Sequence, residues 1–164
     1  MLYRVNYFLA SIIVCLRDIL IYRYFKRYSH YDSSYNSDKW LVPLKSLFST
    51  WGKRSKDWEL ERGDLFQLEV KNPEDGLKKA LQIKALIKKV EPLDVRMTIG
   101  IGEKTYSGES ISESNGEAFI YSGEKFDLLD KENITLGIKT PWHDFDEEMN
   151  LYLKLAGTFM NKWT

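Results

Sequence analysis

The chain has 164 residues, of which 43% are hydrophobic and 29% charged, the composition of one ordinary globular domain. Its 24 basic and 24 acidic residues cancel, so no net charge draws it to nucleic acid or to an anionic membrane. The single cysteine, Cys15, excludes an intrachain disulfide and predicts a reducing, cytoplasmic setting with a buried, inert thiol.

The apolar run near the N-terminus could be a membrane segment or a buried strand. Residues 7–16 read YFLASIIVCL, and Arg17 and Asp18 then interrupt the run. A membrane span needs about 20 mostly apolar residues, and a charge pair near its middle is costly. We therefore predict a central strand over Ser11–Ile19, covered on both faces, with Asp18 near its C-terminal end and no membrane partner.

A polar and aromatic stretch follows at Tyr22–Ser37. Its mixture of arginine, lysine and tyrosine could contact nucleic acid or phosphates, but composition without a shaped groove favours a solvated loop. Ser37 and Asp38 then predict the cap of a helix over Lys39–Trp51, with Pro43 near its first turn.

Residues 58–70, WELERGDLFQLEV, predict an antiparallel hairpin. Apolar and polar residues alternate on both arms, as in two half-buried strands. Arg62, Gly63 and Asp64 form the turn between them, because glycine tolerates the positive φ angles that hairpin turns require.

The second half of the chain alternates helices and strands. In the first helix of this half, lysines are predicted to form the solvated side. In the last helix, the buried side is predicted to consist of Met149, Leu151, Tyr152, Leu155, Phe159 and Trp163. The predicted elements are a helix over Pro73–Val90, a strand over Asp94–Gly102, a loop over Glu103–Ser114, a helix over Gly116–Asp130, a strand over Ile134–Thr140 and a helix over Phe145–Trp163.

The resulting order is β-α-β-β-α-β, followed by α-β-α. This order predicts a single α+β domain over residues 1–164, built on a ferredoxin-like βαββαβ palm with an additional C-terminal strand and helix.

Two aspartates of this predicted fold suggest a metal site. Asp18 follows the first strand and Asp64 lies at the hairpin tip, so the palm arrangement brings both to one face of the sheet. Paired carboxylates suit Mg²⁺, which keeps open positions for the phosphates of a nucleotide. Alternatively, Asp64 only forms the turn and Asp18 only ends a strand.

A second candidate site is the segment Ser114, Asn115 and Gly116, directly before a predicted helix. Exposed N–H groups at a helix N-terminus suit an anionic ligand. A capping box between Ser114 and Glu117 explains the same residues without a ligand. With two histidines and one cysteine in the chain, a zinc site is not expected.

Three motifs, ERGDLFQLEV, DVRMTIGIGE and SESNGEAFIYSGEKFDLL, resemble the SatD-like family of bacterial regulators. The resemblance covers the chain from about Ser37 to its end. The family's first strand usually carries a Gly-Asp step, and here Arg17-Asp18 keeps the aspartate without the glycine. Many relatives continue into a helix-turn-helix module, which we do not expect here because the chain ends at Thr164, so direct DNA binding is not expected.

More distantly, the pattern is similar to the palm of class III nucleotidyl cyclases and GGDEF domains. In GGDEF domains a glutamate follows the hairpin aspartate, and this chain has Leu65 there. The Asn and Arg with which adenylyl cyclases stabilise the transferring phosphate correspond to Ile120 and Glu124. A glutamate repels a phosphoryl group where a cation should attract it, so cyclase activity is not expected.

These resemblances imply a regulatory domain that senses a nucleotide or phosphate-bearing ligand through Arg62, Gly63, Asp64, Ser114, Asn115 and Gly116, with Mg²⁺ at Asp18 and Asp64. Two alternatives remain open: an active nucleotidyl-transferring enzyme, or a dimerisation scaffold of a regulator. Because cyclase palms act as dimers, the resemblance also implies a homodimer.

Overall fold

The computed structural model describes residues 10–16, 33–61, 65–91 and 93–163, which form an α+β protein. In these ranges no helix is long and apolar enough to cross a membrane. The elements, in chain order, are β1 (Ala10–Leu16), α1 (Ser33–Trp51), β2 (Trp58–Glu61), β3 (Leu65–Val70), α2 (Gly76–Lys88), β4 (Met97–Tyr106), β5 (Asn115–Gly116), α3 (Glu117–Phe126), α4 (Leu129–Glu132), β6 (Leu136–Lys139) and α5 (His143–Met160).

The strands form one sheet in which β1 is an interior strand. Along the sheet the order is β2, β3, β1, β4, and each of these neighbours is antiparallel to the next. β4 also pairs with β6 in parallel and with the short β5 in antiparallel orientation. The prediction that the N-terminal apolar run is a central strand is therefore confirmed over Ala10–Leu16, while residues 17–19 lie outside the described ranges.

The antiparallel pairing of the two predicted hairpin strands is also confirmed, while the turn residues 62–64 lie outside the described ranges. Leu60 is opposite Phe66 and Trp58 is opposite Leu68, so the apolar residues of both arms share one face of the sheet. That face packs against α1, where the Phe48 ring lies 4.8 Å from the Phe66 ring and 5.5 Å from the Trp58 ring, centroid to centroid. Alternation alone was sufficient to predict this pairing because only one face of these two strands is deeply buried.

The strand β4 differs from β2 and β3, because both of its faces are buried over residues 97–102. Met97 and Ile99 join the main core on the face occupied by α1, α2 and α5. Thr98 and Gly100 face α3, and a β-carbon added at Gly100 would lie 2.0 Å from the Ala118 carbonyl oxygen. This close approach requires glycine. The strand begins three residues later than predicted and continues to Tyr106, through part of the predicted loop.

The first helix is longer than predicted. α1 begins at Ser33 rather than after Asp38, so the end of the predicted loop is helical. Residues 33–37 contain neither glycine nor proline, and nothing in their composition stops the helix there. Pro43 consequently lies well inside the helix, not near its first turn. Its side chain is exposed, and on this side water can solvate the carbonyl that loses its N–H partner.

The predicted helix over Gly116–Asp130 is divided in two. α3 ends at Phe126, α4 begins at Leu129, and Asn133 ends α4 in the left-handed conformation with φ of 53°. Ala118, Ser122 and Leu129 are buried.

The last helix packs against the core through Met149, as predicted, but otherwise through a side that the prediction left exposed. Leu153 and Met160 are buried, whereas Tyr152, Leu155 and Phe159 are exposed. The buried side also carries Asn150, whose amide donates to the Ile138 carbonyl oxygen (2.8 Å) and accepts from the Ile138 N–H (2.9 Å). α5 thereby satisfies backbone groups of the edge strand β6.

Candidate functional site

The two aspartates predicted to bind metal, and the hairpin turn, fall outside the described residues. Asp18, Arg62, Gly63 and Asp64 are therefore not located. The strands that flank them are described: Leu16, the last residue of β1, is opposite Phe66, and Glu61 is opposite Leu65. The C-terminal end of β1 and the beginning of β3 consequently lie at the same end of the sheet.

The segment Ser114–Gly116 is described, and its polar groups are used within the fold. The Ser114 hydroxyl donates to the Ser110 carbonyl oxygen and accepts from the Gly108 N–H. The Asn115 side chain accepts from the Gly116 N–H at 2.8 Å. Gly116 has a φ of 153° and a backbone contact with β4 that leaves no room for a β-carbon.

The predicted capping box of α3 is wrong. The residue before the helix is Gly116, which has no side chain to cap with, and Ser114 bonds elsewhere. The Glu117 carboxylate accepts from the Glu103 N–H at 3.4 Å instead of reaching back to a cap residue. A carboxylate in the first turn also disfavours an anion at this helix end, so these contacts give the proposed ligand site at Ser114–Gly116 no support.

The described part of the molecule has a cleft of about 580 Å³ at the end of the sheet where β4 and β6 begin. Cys15 is paired with Thr98, so the continued register brings Leu16 opposite Met97, the first residue of β4. The cleft is therefore also at the end of the sheet where β1 terminates and β3 starts. The cleft is lined by Lys88, Asp94, Val95, Arg96, Leu129, Asp130, Asn133, Ile134, Thr135, Gly157, Thr158, Asn161 and Lys162.

A buried ion pair lies beneath the cleft. Lys84 of α2 is fully buried, and its Nζ lies 2.8 Å from Asp94 Oδ1 and 3.1 Å from Thr135 Oγ1. Burial disfavours the ammonium and lowers the pKa of Lys84, although its hydrogen bond to Asp94 acts in the opposite direction. The same Asp94 oxygen accepts from the Val95 N–H at 2.7 Å. This pair joins α2 to the segment that leads into β4.

Further contacts extend this network to the cleft wall. The Thr135 hydroxyl donates to Asn161 Oδ1 at 3.0 Å, and Lys88 Nζ donates to the Asn161 carbonyl oxygen at 3.1 Å. Lys88 Nζ is also 3.8 Å from Asp94 Oδ2. The C-terminal ends of α2 and α5 are thereby tied to the start of β6.

The charges on the cleft walls are unequal. Its cationic side chains are Lys88, Arg96 and Lys162, and its carboxylates are Asp94 and Asp130. Arg96 pairs with Asp130, and its guanidinium lies 5.5 Å from the centroid of the Phe126 ring. Lys162 is exposed and makes no ion pair with a described residue. With the buried Lys84 beneath, the cleft presents an excess of positive charge, which suits an anionic ligand.

Metal ligands are not clustered in the described ranges, where no group of three His, Cys, Asp or Glu side chains could hold an ion. Glu124 is exposed, and its carboxylate is 2.5 Å from Lys139 Nζ. Ser122 is buried beneath Gly100, and its carbonyl oxygen accepts from the Thr98 hydroxyl.

The prediction that the lysines of α2 face solvent is wrong for Lys84, which is buried beneath the cleft. One signal was present: Lys84 follows Ala80 by four residues and precedes Ile87 by three, which places it on the apolar stripe of the helix. A lysine on such a stripe needs a buried partner, and Asp94 provides it.

We compared the chain with family models, with curated proteins and with solved structures, and it matches none of them. The SatD-like resemblance accordingly stays an expectation from the three sequence motifs.

Proposed function

We propose that the chain is a cytoplasmic, palm-like regulatory domain of the SatD-like family that binds a nucleotide or another phosphate-bearing ligand with the help of Mg²⁺. Asp18 and Asp64 are the proposed metal ligands, and the cleft beside the start of β4 is the proposed site for the anionic part of the ligand.

The strand order supports a ferredoxin-like palm. In a βαββαβ unit of that kind, the first strand lies between the third and the fourth, and the second strand is at the edge beside the third. The order β2, β3, β1, β4 agrees with this arrangement, and α1 and α2 follow the first and third strands. The strand β6, parallel to β4, and the helix α5 extend the unit.

The observation that carries the proposal is the cationic cleft at the sheet end where β1 terminates and β3 begins. Neighbouring strands are about 4.8 Å apart, so the ends of β1 and β4 are close enough for one ligand to span both. A phosphate group that contacts Lys88 and Lys162 could then share a metal ion with carboxylates from the adjoining strand ends. When bound, the Mg²⁺ ion would neutralise phosphate oxygens and orient them.

The side chains favour a domain that binds a nucleotide but does not cyclise it. By the cyclase resemblance Glu124 takes the place of the cyclase cation, and its carboxylate is paired with Lys139. We therefore expect no cyclic mononucleotide or dinucleotide when ATP or GTP is incubated with the protein and Mg²⁺ or Mn²⁺. Removal of one preorganised charge contact commonly lowers a rate a hundredfold to a thousandfold. A cyclic product peak that an Asp64→Asn control lacks would contradict this expectation.

A thermal-shift screen of nucleotides, with and without Mg²⁺, tests binding. At a ligand concentration about a hundredfold above Kd, we expect the midpoint to rise by about 5–10 °C in the presence of Mg²⁺. Asp64→Asn keeps a residue suited to turns and should abolish the metal-dependent part of the rise. Lys88→Ala should weaken binding both with and without the metal.

The matched control is Lys78→Ala, which removes an exposed lysine from the same helix at a position outside the cleft. It should bind like the parent. Equal binding by the Asp64 variant and the parent would reduce Asp64 to a turn residue. Equal binding by the Lys88 and Lys78 variants would exclude the cleft as the phosphate site.

A further inference from the structure

The exposed side of α5 carries a continuous apolar stripe. Large apolar side chains recur along one side of this helix and project away from the sheet, and Phe159 is 74% exposed. Their spacings of three and four residues keep them within about one third of the helix circumference. The members of this α5 stripe are Phe145, Leu151, Tyr152, Leu155, Phe159 and Trp163, the last just beyond the helix end.

The orientation of α5 is fixed by contacts on its other side. Leu153 and Met160 belong to the main core, and Asn150 bonds to β6. The Asp146 carboxylate accepts from both the Thr140 N–H, at 3.0 Å, and the Thr140 hydroxyl, at 2.8 Å. Rotation of the helix to bury the stripe would break all of these contacts. The stripe is therefore available to another surface.

Charges along the stripe are separated by sign. Asp144, Glu147 and Glu148 lie near the N-terminal end of α5, Lys154 lies in its C-terminal half, and Lys162 follows two residues after the helix ends at Met160. Glu148 is on the same side of the helix as the stripe, seven residues before Leu155, and Lys162, seven residues after Leu155, also lines the cleft. Such a helix is complementary to a reversed copy of itself, in charge and in dipole.

We propose that the α5 stripe is a homodimer interface in which two copies of α5 pack antiparallel about a two-fold axis near Leu155. In this arrangement Leu151 lies against the partner's Phe159, and Glu148 lies near the partner's Lys162. The interface is isologous, since one patch serves both subunits.

The size of the stripe is adequate for such a dimer. With about half of each side chain exposed, six large apolar residues offer on the order of 600 Å² per copy, close to the roughly 800 Å² that each partner of a standard interface buries. A membrane surface fits less well, because helices that lie on membranes are rich in lysine and arginine, and this one carries more acidic than basic residues. The proposed dimer does not require a nucleotide, but Lys162 also lines the proposed phosphate cleft, so variants of Lys162 alter both sites while Leu155→Glu leaves the cleft lining unchanged.

Sedimentation velocity of the full chain over a concentration series tests the dimer. Leu155→Glu places two carboxylates at the axis, and we expect it to raise the dimer dissociation constant by roughly a hundredfold or more. The matched control is Val42→Glu, which introduces the same charge at an exposed apolar position of α1. The control should dimerise like the parent.

A charge-reversal pair tests the antiparallel orientation. Glu148→Lys and Lys162→Glu should each weaken the dimer, because each sets like charges against each other, and the double variant should recover it. A double variant no more dimeric than either single variant would overturn the proposed orientation. A parent that stays monomeric at its highest soluble concentration would overturn the interface itself. So would co-sedimentation of that monomer with vesicles of phosphatidylcholine and phosphatidylserine, which would assign the stripe to lipid.

Discussion

The buried pair of Lys84 and Asp94 leads to a prediction about pH. Asp94→Asn keeps an oxygen that can accept from the Val95 N–H but removes the negative charge that lies 2.8 Å from the Lys84 ammonium. The Lys84 ammonium then stays fully buried, and no described carboxylate is paired with it. Loss of one partner from a buried pair typically costs about 3–5 kcal/mol, because the remaining charge is uncompensated.

The cost has an upper limit, because Lys84 can release its proton. The value pH 7 lies about 3.5 units below the ordinary lysine pKa of 10.5. At about 1.36 kcal/mol per pH unit, removal of the Lys84 proton at pH 7 therefore costs about 5 kcal/mol. We therefore expect Asp94→Asn to lower the free energy of unfolding by about 3–5 kcal/mol at pH 7. At pH 10 the same limit falls below about 1 kcal/mol.

The sign of the pH dependence follows from proton linkage. The pKa of Lys84 is lowered in the folded state, so between the folded value and 10.5 the unfolded chain binds more protons than the folded chain. Stability from this group therefore rises with pH across that window. The variant loses the Asp94 hydrogen bond, which raises the pKa of Lys84, so this pKa is lower in the folded variant than in the folded parent. The pH range over which stability rises is therefore wider for the variant. The difference in free energy of unfolding between parent and variant then shrinks as pH rises from 7 to 10.

Urea unfolding of parent and variant at several pH values between 7 and 10 measures this deficit. The control is Glu124→Gln, which breaks the exposed ion pair with Lys139 and should change stability by less than about 1 kcal/mol. A deficit for Asp94→Asn no larger than that of the control at pH 7, or one that does not shrink toward pH 10, would refute the argument.

Three other predictions can be checked by the same unfolding measurement. Gly100→Ala should destabilise by more than about 2 kcal/mol, since its β-carbon would meet the backbone of α3, whereas Gly123→Ala, which has open space, should stabilise by up to about 1 kcal/mol. Equal changes in stability for Gly100→Ala and Gly123→Ala would show that the contact between Gly100 and α3 does not require glycine. Asn150→Ala should cost about 1–3 kcal/mol, because it leaves the Ile138 backbone groups without their side-chain partners, and an unchanged midpoint would contradict this role. Phe66→Ala, in the centre of the core, should cost about 3–5 kcal/mol, and a smaller loss would mean that the ring cluster can collapse around the cavity.

The sequence by itself determined the elements whose pattern is unambiguous. The hairpin alternates with a period of two on both arms, and one register sets Trp58 and Leu60 on the same face as Phe66 and Leu68, so the strand pairing and the buried face followed from the pattern. The N-terminal apolar run is too short and too interrupted for a membrane span, and the central strand predicted over Ser11–Ile19 is an interior strand over Ala10–Leu16. The α+β composition of the fold followed from these assignments.

Only the tertiary structure decided which side of α5 is buried. The helix carries two apolar stripes, a bulky one through Tyr152, Leu155 and Phe159 and a slimmer one through Leu153 and Met160. Periodicity identifies both stripes but does not decide which of them is buried, and the prediction chose the bulky one. The edge of β6 selects the other, because Asn150 lies beside the slimmer stripe and satisfies backbone groups of that strand.

The cleft depended on tertiary contacts for the same reason. Lys84 and Asp94 are ten residues apart, and Thr135 is 51 residues beyond Lys84, so no local pattern links the three. A buried charge is stable only beside a partner, and the partner's position depends on how α2 packs against the starts of β4 and β6. Periodicity places a side chain on a face of its own helix or strand, but what that face meets is set by distant parts of the chain.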